Sequence, residues 1–461
     1  MDDLLGGPGA ARAGLLAHPL AVPRRVAEAA VDAEGVRERK KRSLPSVLIV
    51  YLNLALWLFP DQGMGQCLRE LAAGLPQLAR EPARWRNAAS TSISKARERV
   101  GPGVMRQILE HLAGPLGSQA DLWRGRRVCA VDGTTVKVPD TEENAACFGG
   151  PKSSPFPLLR LLVLAECATK SIIDAVACAY ATGERTVVHR LLGSLRPGML
   201  VLFDRGFCSH LLFRDAAATG ADLIFRVSAS FKLTPLPGPA AVLDDGTYLA
   251  ELKPRRKRDG PPITVRVIEY SITTRALGKG KTTSEVFCLV TNLTDPETAP
   301  ALELAALYAR RWKIEVLYKA VKIDLNGARP VLRSGHADTV LAEIWSLLAL
   351  FQILLRLADA AITAHLDDGG DPIDLEQISI KNARGALRRT IGQATTQLTE
   401  MTQAMTAFTE DVLSTLTPRR PRRTAARKRK ARRGSKIKTF RVAYSIVPHP
   451  LAPRTAQPRA A

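Results

Sequence analysis

Met199-Leu-Val-Leu-Phe-Asp-Arg-Gly-Phe207 is the stretch on which the reading of this chain turns. An unbroken apolar run without polar alternation suits a parallel strand buried on both faces, and this one ends on a carboxylate, Asp204. Downstream, the spacing predicts a helix over 209–219 and a further strand over Asp222–Val227. Upstream, a helix is predicted from Arg185 to Leu195. Before it, Ser171–Tyr180, Leu158–Cys167 and Arg127-Val-Cys-Ala-Val-Asp-Gly-Thr-Thr-Val-Lys-Val-Pro139 read as strands spaced like an antiparallel meander, the earliest stopped by its proline.

Three antiparallel strands, a helix, a strand, a helix and a strand is the order of an α/β, ribonuclease-H-like core. The core is expected over 121–227, broken by a β-rich insertion at 228–299 with a basic loop at Lys253–Arg258, and resumed over 300–370. Around it we expect an arm at 1–44, a helical DNA-binding domain at 45–120, helices at 371–417 and a basic tail at 418–461. Ser90–Val100 combines N-capping residues with Lys95, Arg97 and Arg99, as a helix entering a DNA groove would; an amphipathic surface helix would look much the same.

With 46% hydrophobic residues in 461, the chain has material for a substantial core, and its formal charge of +22 calls for a polyanionic partner. Nucleic acid is the first candidate, because Lys and Arg displace the counterions condensed on phosphates. Arg419–Lys438 alone holds twelve basic residues and no acid. A membrane role is not expected. The run Val47–Phe59 is short and holds Asn53, Val340–Leu355 holds Glu343 and Gln352, and the acidic start does not read as a secretory signal. Seven cysteines without a C-x-x-C pair, beside scattered histidines, argue against a zinc site and a disulfide framework and for a reducing cytoplasm.

A second stretch, Tyr308-Ala-Arg-Arg-Trp-Lys-Ile-Glu-Val-Leu-Tyr-Lys-Ala-Val-Lys322, reads as a helix. On a uniform α-helix Tyr308, Arg311, Glu315 and Lys322 share one face, an acid among cations. Trp312 falls on another face, where packing accounts for it. Taken singly, that face could be an ordinary ion pair, Asp132-Gly a turn dipeptide, and Asp204 a helix cap. Taken together, Asp132, Asp204 and Glu315 are three carboxylates on three elements, enough for two divalent cations. Hard oxygen donors select Mg²⁺ or Mn²⁺ over zinc.

The spacing Tyr308-x2-Arg311-x3-Glu315-x6-Lys322, with Asp204-Arg-Gly-Phe207 and Val131-Asp-Gly-Thr134 upstream, resembles the three motifs of DDE transposases of bacterial insertion sequences, in the family with the Y-R-E-K signature. The resemblance covers roughly 45–370 and implies that Asp132, Asp204 and Glu315 bind metal while Tyr308, Arg311 and Lys322 hold a DNA end. It also implies double-stranded DNA partners (element ends and target), a dimer in the synaptic complex and a place in the bacterial cytoplasm. In some members an aromatic of the insertion stacks on a flipped base; every Trp here lies outside 228–300, leaving Phe231, Tyr248 and Tyr270 as candidates, each also readable as core. A non-catalytic DNA-binding relative, or a ribonuclease-H-like nuclease without strand transfer, would share these residues.

Overall fold

The computed structural model describes residues 21–40, 42–74, 88–228, 231–275, 282–327, 330–391, 398–417 and 445–447. The basic run Arg419–Lys438 lies outside them. The chain divides into two compact units, one made of Met1–Gly117, Gly133–Gly183 and Glu315–Pro418, the other of Ser118–Asp132, Glu184–Ile314 and Arg419–Ala461.

In the first unit, helices α1 (Arg24–Ala33), α2 (Ser46–Leu58), α3 (Met64–Gly74) and α4 (Ser90–Leu112) come first. The α1 helix falls in the stretch expected as an arm and buries Ala27, Ala30 and Val31. The stretch labelled α4 is two helical segments that meet at a break at Gly101, whose φ of 71° is cheap for glycine, with Pro102 unable to supply the next amide. Strand β1 (Arg127–Lys137) passes from the second unit into this one, which then adds α5 (Glu142–Phe148), β2 (Leu158–Glu166) and β3 (Ile172–Ala179), the last two paired antiparallel.

The first unit's long apolar helix, Ala337–Asp367, is long and apolar enough to cross a membrane, yet 89% of its apolar window is buried inside the fold. Trp57 of α2 donates its indole N–H to the Glu343 carbonyl at 2.8 Å, and Gln352 accepts from the Ile172 amide at 2.9 Å. The Glu343 carboxylate accepts from the Arg333 and Ser334 amides at 3.0 Å, so two polar side chains that would be costly in lipid are built into a protein core.

In the second unit the sheet order is β1-β4-β5-β9-β8-β7-β6. Strands β4 (Met199–Phe203) and β5 (Asp222–Val227) run parallel to β1, connected by α6 (His210–Ala217). The helix expected over 185–195 is a single α-turn, Glu184–Val187, followed by a 3₁₀ stretch, Val188–Ser194. Consecutive β-branched residues and Gly193 explain the poor helix. The β-rich stretch supplies β6 (Thr234–Pro235), β7 (Tyr248–Leu252), β8 (Ile263–Arg275) and β9 (Thr282–Thr291), and β9 pairs antiparallel with β5, so its strands continue the sheet. A last strand, β10 (Ser445–Val447), pairs with β8.

Arg266 of β8 ties this β-rich region to the chain entering α7 (Ala301–Tyr308). Its fully buried guanidinium pairs with Asp245 and donates to Thr247 Oγ1 at 2.8 Å and to the carbonyls of Leu293, Asp295 and Ala299 at 3.3, 3.4 and 2.7 Å. Asp245 also accepts from the Ala301 amide, at the start of α7. Tyr308 ends that anchored helix, and Arg311 comes one turn later.

Candidate active site

Parallel pairing of β1 with β4 ends at Val131 opposite Phe203, so Asp132, still inside β1, and Asp204, just past the end of β4, follow at matching positions. Neighbouring strands lie about 4.8 Å apart. Both carboxylates thus stand side by side at the carboxyl edge of parallel strands, where open α/β sheets place their chemistry. Each has a partner from the end of α7 or the turn after it. The Tyr308 hydroxyl reaches the Phe203 carbonyl at 3.3 Å and Asp204 Oδ1 at 3.4 Å, and Arg311 Nη1 lies 3.5 Å from Asp132 Oδ2. Burial pushes the Tyr308 phenol well above its ordinary pKa, so it stays protonated and donates. Arg311 is buried and its guanidinium lies 5.9 Å from the centre of the Tyr308 ring.

The stretch that carries these residues is not one uniform α-helix. After α7 come a 3₁₀ turn at Ala309–Arg311, helix α8 (Trp312–Lys319) and a π-helical turn at Ala320–Leu325. A 3₁₀ turn advances about 120° per residue and a π turn less than an α-helix does. The single shared face expected for Tyr308, Arg311, Glu315 and Lys322 therefore does not follow from spacing alone. Trp312, expected to pack, is 52% exposed just after the tight turn. Glu315 is in the first turn of α8 and belongs to the first unit.

Lys322, in the π turn, lies in the first unit with the second half of β1. Its ammonium donates to Thr134 Oγ1 at 2.9 Å and to the Thr135 carbonyl at 2.8 Å, and burial lowers its pKa. Thr134 is a residue to which the sequence reading gave no role, although it stands inside the Asp-Gly-Thr motif. Arg226 on β5 is a second such residue. Its guanidinium lies 4.2 Å from the centre of the Phe287 ring, and its charge bears on Tyr308. An arginine inside a strand carried no sequence signal beyond ordinary alternation.

The paired Asp132 and Asp204 carboxylates offer hard oxygen donors, which suit a divalent cation such as Mg²⁺. Among the described residues, no three His, Cys, Asp or Glu side chains form a group that could hold a metal ion. All seven cysteines are free thiols. Of the aromatics named in the β-rich region, Tyr248 and Tyr270 are buried, with Tyr270 stacked 5.3 Å from Phe287.

Two aspartates at matching positions of parallel strands in a mixed sheet, each beside a tyrosine or an arginine, belong to a protein of the mixed α/β class. A profile described as "Transposase DDE domain" matches residues 123–351, and one described as "Insertion element 4 transposase N-terminal" matches 12–110. The chain is 25% identical over 350 residues to "Transposase InsG for insertion sequence element IS4" of Escherichia coli K12, covering 72% of this chain and 74% of that protein. It is also 26% identical over 130 residues to "Putative transposase InsZ" of the same organism, covering 26% of this chain and 44% of that protein. Among solved structures, a piggyBac transposase synaptic complex with hairpin DNA is similar with a TM-score of 0.40 at 8% identity, over 86% of this chain and 82% of that one, too loosely to bear on the site. The chain belongs to the DDE transposases of insertion sequences, in the IS4 family. It is a phosphoryl-transfer enzyme of transposition, of a class that acts on DNA with divalent metal.

Proposed function

We propose that this enzyme cuts DNA at the ends of its own insertion sequence and joins the freed 3′-hydroxyls to target DNA, using Asp132, Asp204 and Glu315 as the ligands of two Mg²⁺ or Mn²⁺ ions. The observation that carries the reading is the matched position of Asp132 and Asp204 where the parallel β1–β4 ladder ends, each beside a residue of the Tyr308–Arg311 turn. When bound, the ions would ease deprotonation of the attacking water or 3′-hydroxyl and stabilise the leaving oxygen. In cleavage the water oxygen bonds to phosphorus and the 3′ oxygen departs, taking up a proton. In joining, the 3′ oxygen attacks a target phosphate and another 3′ oxygen departs.

The chain's own groups would position the phosphate. Arg311, now against Asp132, can turn its fork to a phosphate once Asp132 takes a metal ion instead. Tyr308 keeps its proton and can donate it to a phosphate oxygen as a hydrogen bond. Lys322 supplies a point charge held by neutral oxygens. Two ends must be paired, so a dimer is proposed for the synaptic complex, acting on the bacterial nucleoid in the cytoplasm. Glu315→Gln, Asp132→Asn and Asp204→Asn are each expected to lower cleavage of labelled element ends in Mg²⁺ at least about a thousandfold, the loss of several kcal/mol of charge stabilisation. Wild-type cleavage by purified Glu315→Gln would remove Glu315 from the ligand set.

A further inference from the structure

Away from the carboxylates, the first unit holds a polar pocket of about 420 Å³ between α4 and the start of the long helix Ala337–Asp367. Its wall includes Arg97, which the sequence offered to a DNA groove but which is only 4% exposed. Arg97 Nε donates to Asn53 Oδ1 at 2.8 Å, Nη2 to Ser334 Oγ at 3.2 Å, and Nη1 faces the Met64 sulfur at 3.9 Å. All three are neutral acceptors. Among the described residues no carboxylate lies within ion-pair distance of Arg97; Glu343 and Glu98 favour its charge only from further off, and burial pulls its pKa down. Glu343 is spent on the amides of Arg333 and Ser334, and Glu98 faces His336 at 3.6 Å. A buried guanidinium without a counter-charge is costly to keep.

The rest of the wall holds one carboxylate, Glu98, which faces His336, and otherwise cationic and hydroxyl groups. Arg333 adds a second cation, anchored on the carbonyls of Leu56, Pro60 and Gln62. Ser90 and Ser94 contribute hydroxyls, while that of Thr339 donates to the His336 carbonyl at 2.9 Å. Ser90 and Ser94 lie in the first turns of α4, whose cap residue, Ala89, offers its amides no side-chain acceptor, so the positive end of the helical segment before Gly101 opens on the pocket.

We infer that this pocket binds a phosphate group, with Arg97 as its buried counter-charge and Ser90 and Ser94 as hydrogen-bond donors. The volume leaves room for the sugar that carries the phosphate, so the group comes from a DNA strand or from a free nucleotide. The inference does not rest on the catalytic assignment, because binding is read without metal and is expected to survive Glu315→Gln.

The experiment measures the melting temperature and binding of the full-length protein with inorganic phosphate, thymidine 5′-monophosphate or a short DNA duplex, each against chloride of equal ionic strength. Ser94→Glu places a carboxylate beside Arg97. It should raise the melting temperature in chloride and abolish the response to phosphate. Arg97→Met should weaken binding roughly 10- to 100-fold, the loss of a charged hydrogen bond. A response to the monophosphate, lost in both variants, identifies a nucleotide site. A change confined to the duplex, with the salt slope falling by about 0.9 in the variants, identifies a backbone phosphate. If Ser94→Glu responds to all three probes as wild type does, or wild type responds to none of them differently from chloride, the inference is overturned. Ser94 is partly exposed, so its variant tests the idea even where Arg97→Met fails to fold.

Discussion

Two buried arginines, one in each unit, carry the same charge into opposite surroundings. Arg266, in the β-rich region, meets a carboxylate, a hydroxyl and three carbonyls, and its whole donor fork is used in joining β8 to the approach to α7. Arg97, in the helical region, meets only neutral atoms and borders open space. Lys322 resembles Arg97 in this respect, since its ammonium donates to a hydroxyl and a carbonyl. Burial by itself therefore does not separate structural cations from binding ones. The counter-charge does: a cation whose charge is answered inside the fold holds the fold, and one answered only by dipoles remains able to attract an external anion.

That contrast can be broken most sharply at the two arginines. Arg266→Met leaves Asp245 and several buried carbonyls without a donor and is expected to cost on the order of 3 kcal/mol in urea unfolding. Arg97→Met removes an uncompensated charge and is expected to cost less than about 1 kcal/mol. Equal losses would show that Arg97 is as structural as Arg266.

A smaller effect is expected at Lys322. Thr134→Val removes its hydroxyl acceptor and should slow end cleavage about tenfold, the worth of one hydrogen bond to a charged group, through weaker DNA binding rather than a changed chemical step. Thr134→Ser should restore the rate; if it does not, the hydroxyl is not what positions the ammonium.

The smallest effect concerns His336, which is paired with carboxylates and belongs with Arg266 in the contrast. Its hydrogen bond to Glu143 raises its pKa above the ordinary 6.5. A raised pKa means the charged form is favoured in the fold, so this contribution to stability is fully present below 6.5 and lost as pH rises through the higher folded value. Wild type should lose slightly more melting temperature across that window than His336→Gln. Parallel profiles would place His336 outside the group of internally paired cations.

Much of the core was legible because its signals are local. The apolar run at Met199–Phe203 and the strand stopped near Pro139 report burial directly. The helix from Tyr308 to Lys322 was legible as helical, but its 3₁₀ and π turns were not, and these decide which side chains share a face. Ser90–Val100 misled in another way. Its three cations read as a charged surface, yet Arg97 is buried and Arg99 donates to the Leu44 carbonyl at 2.7 Å, leaving Lys95 exposed.

The sequence alone determined most of the order of strands and helices and the basic character, since hydrophobic periodicity and residue chemistry are carried by neighbours in the chain. Only tertiary structure decided that Asp132 and Asp204 fall at matching positions where the β1–β4 ladder ends, because register between strands so far apart in sequence is set by packing. It also decided which buried cation has its charge answered. That depends on a carboxylate from elsewhere in the chain reaching it, as Asp245 reaches Arg266 and none does at Arg97 among the described residues.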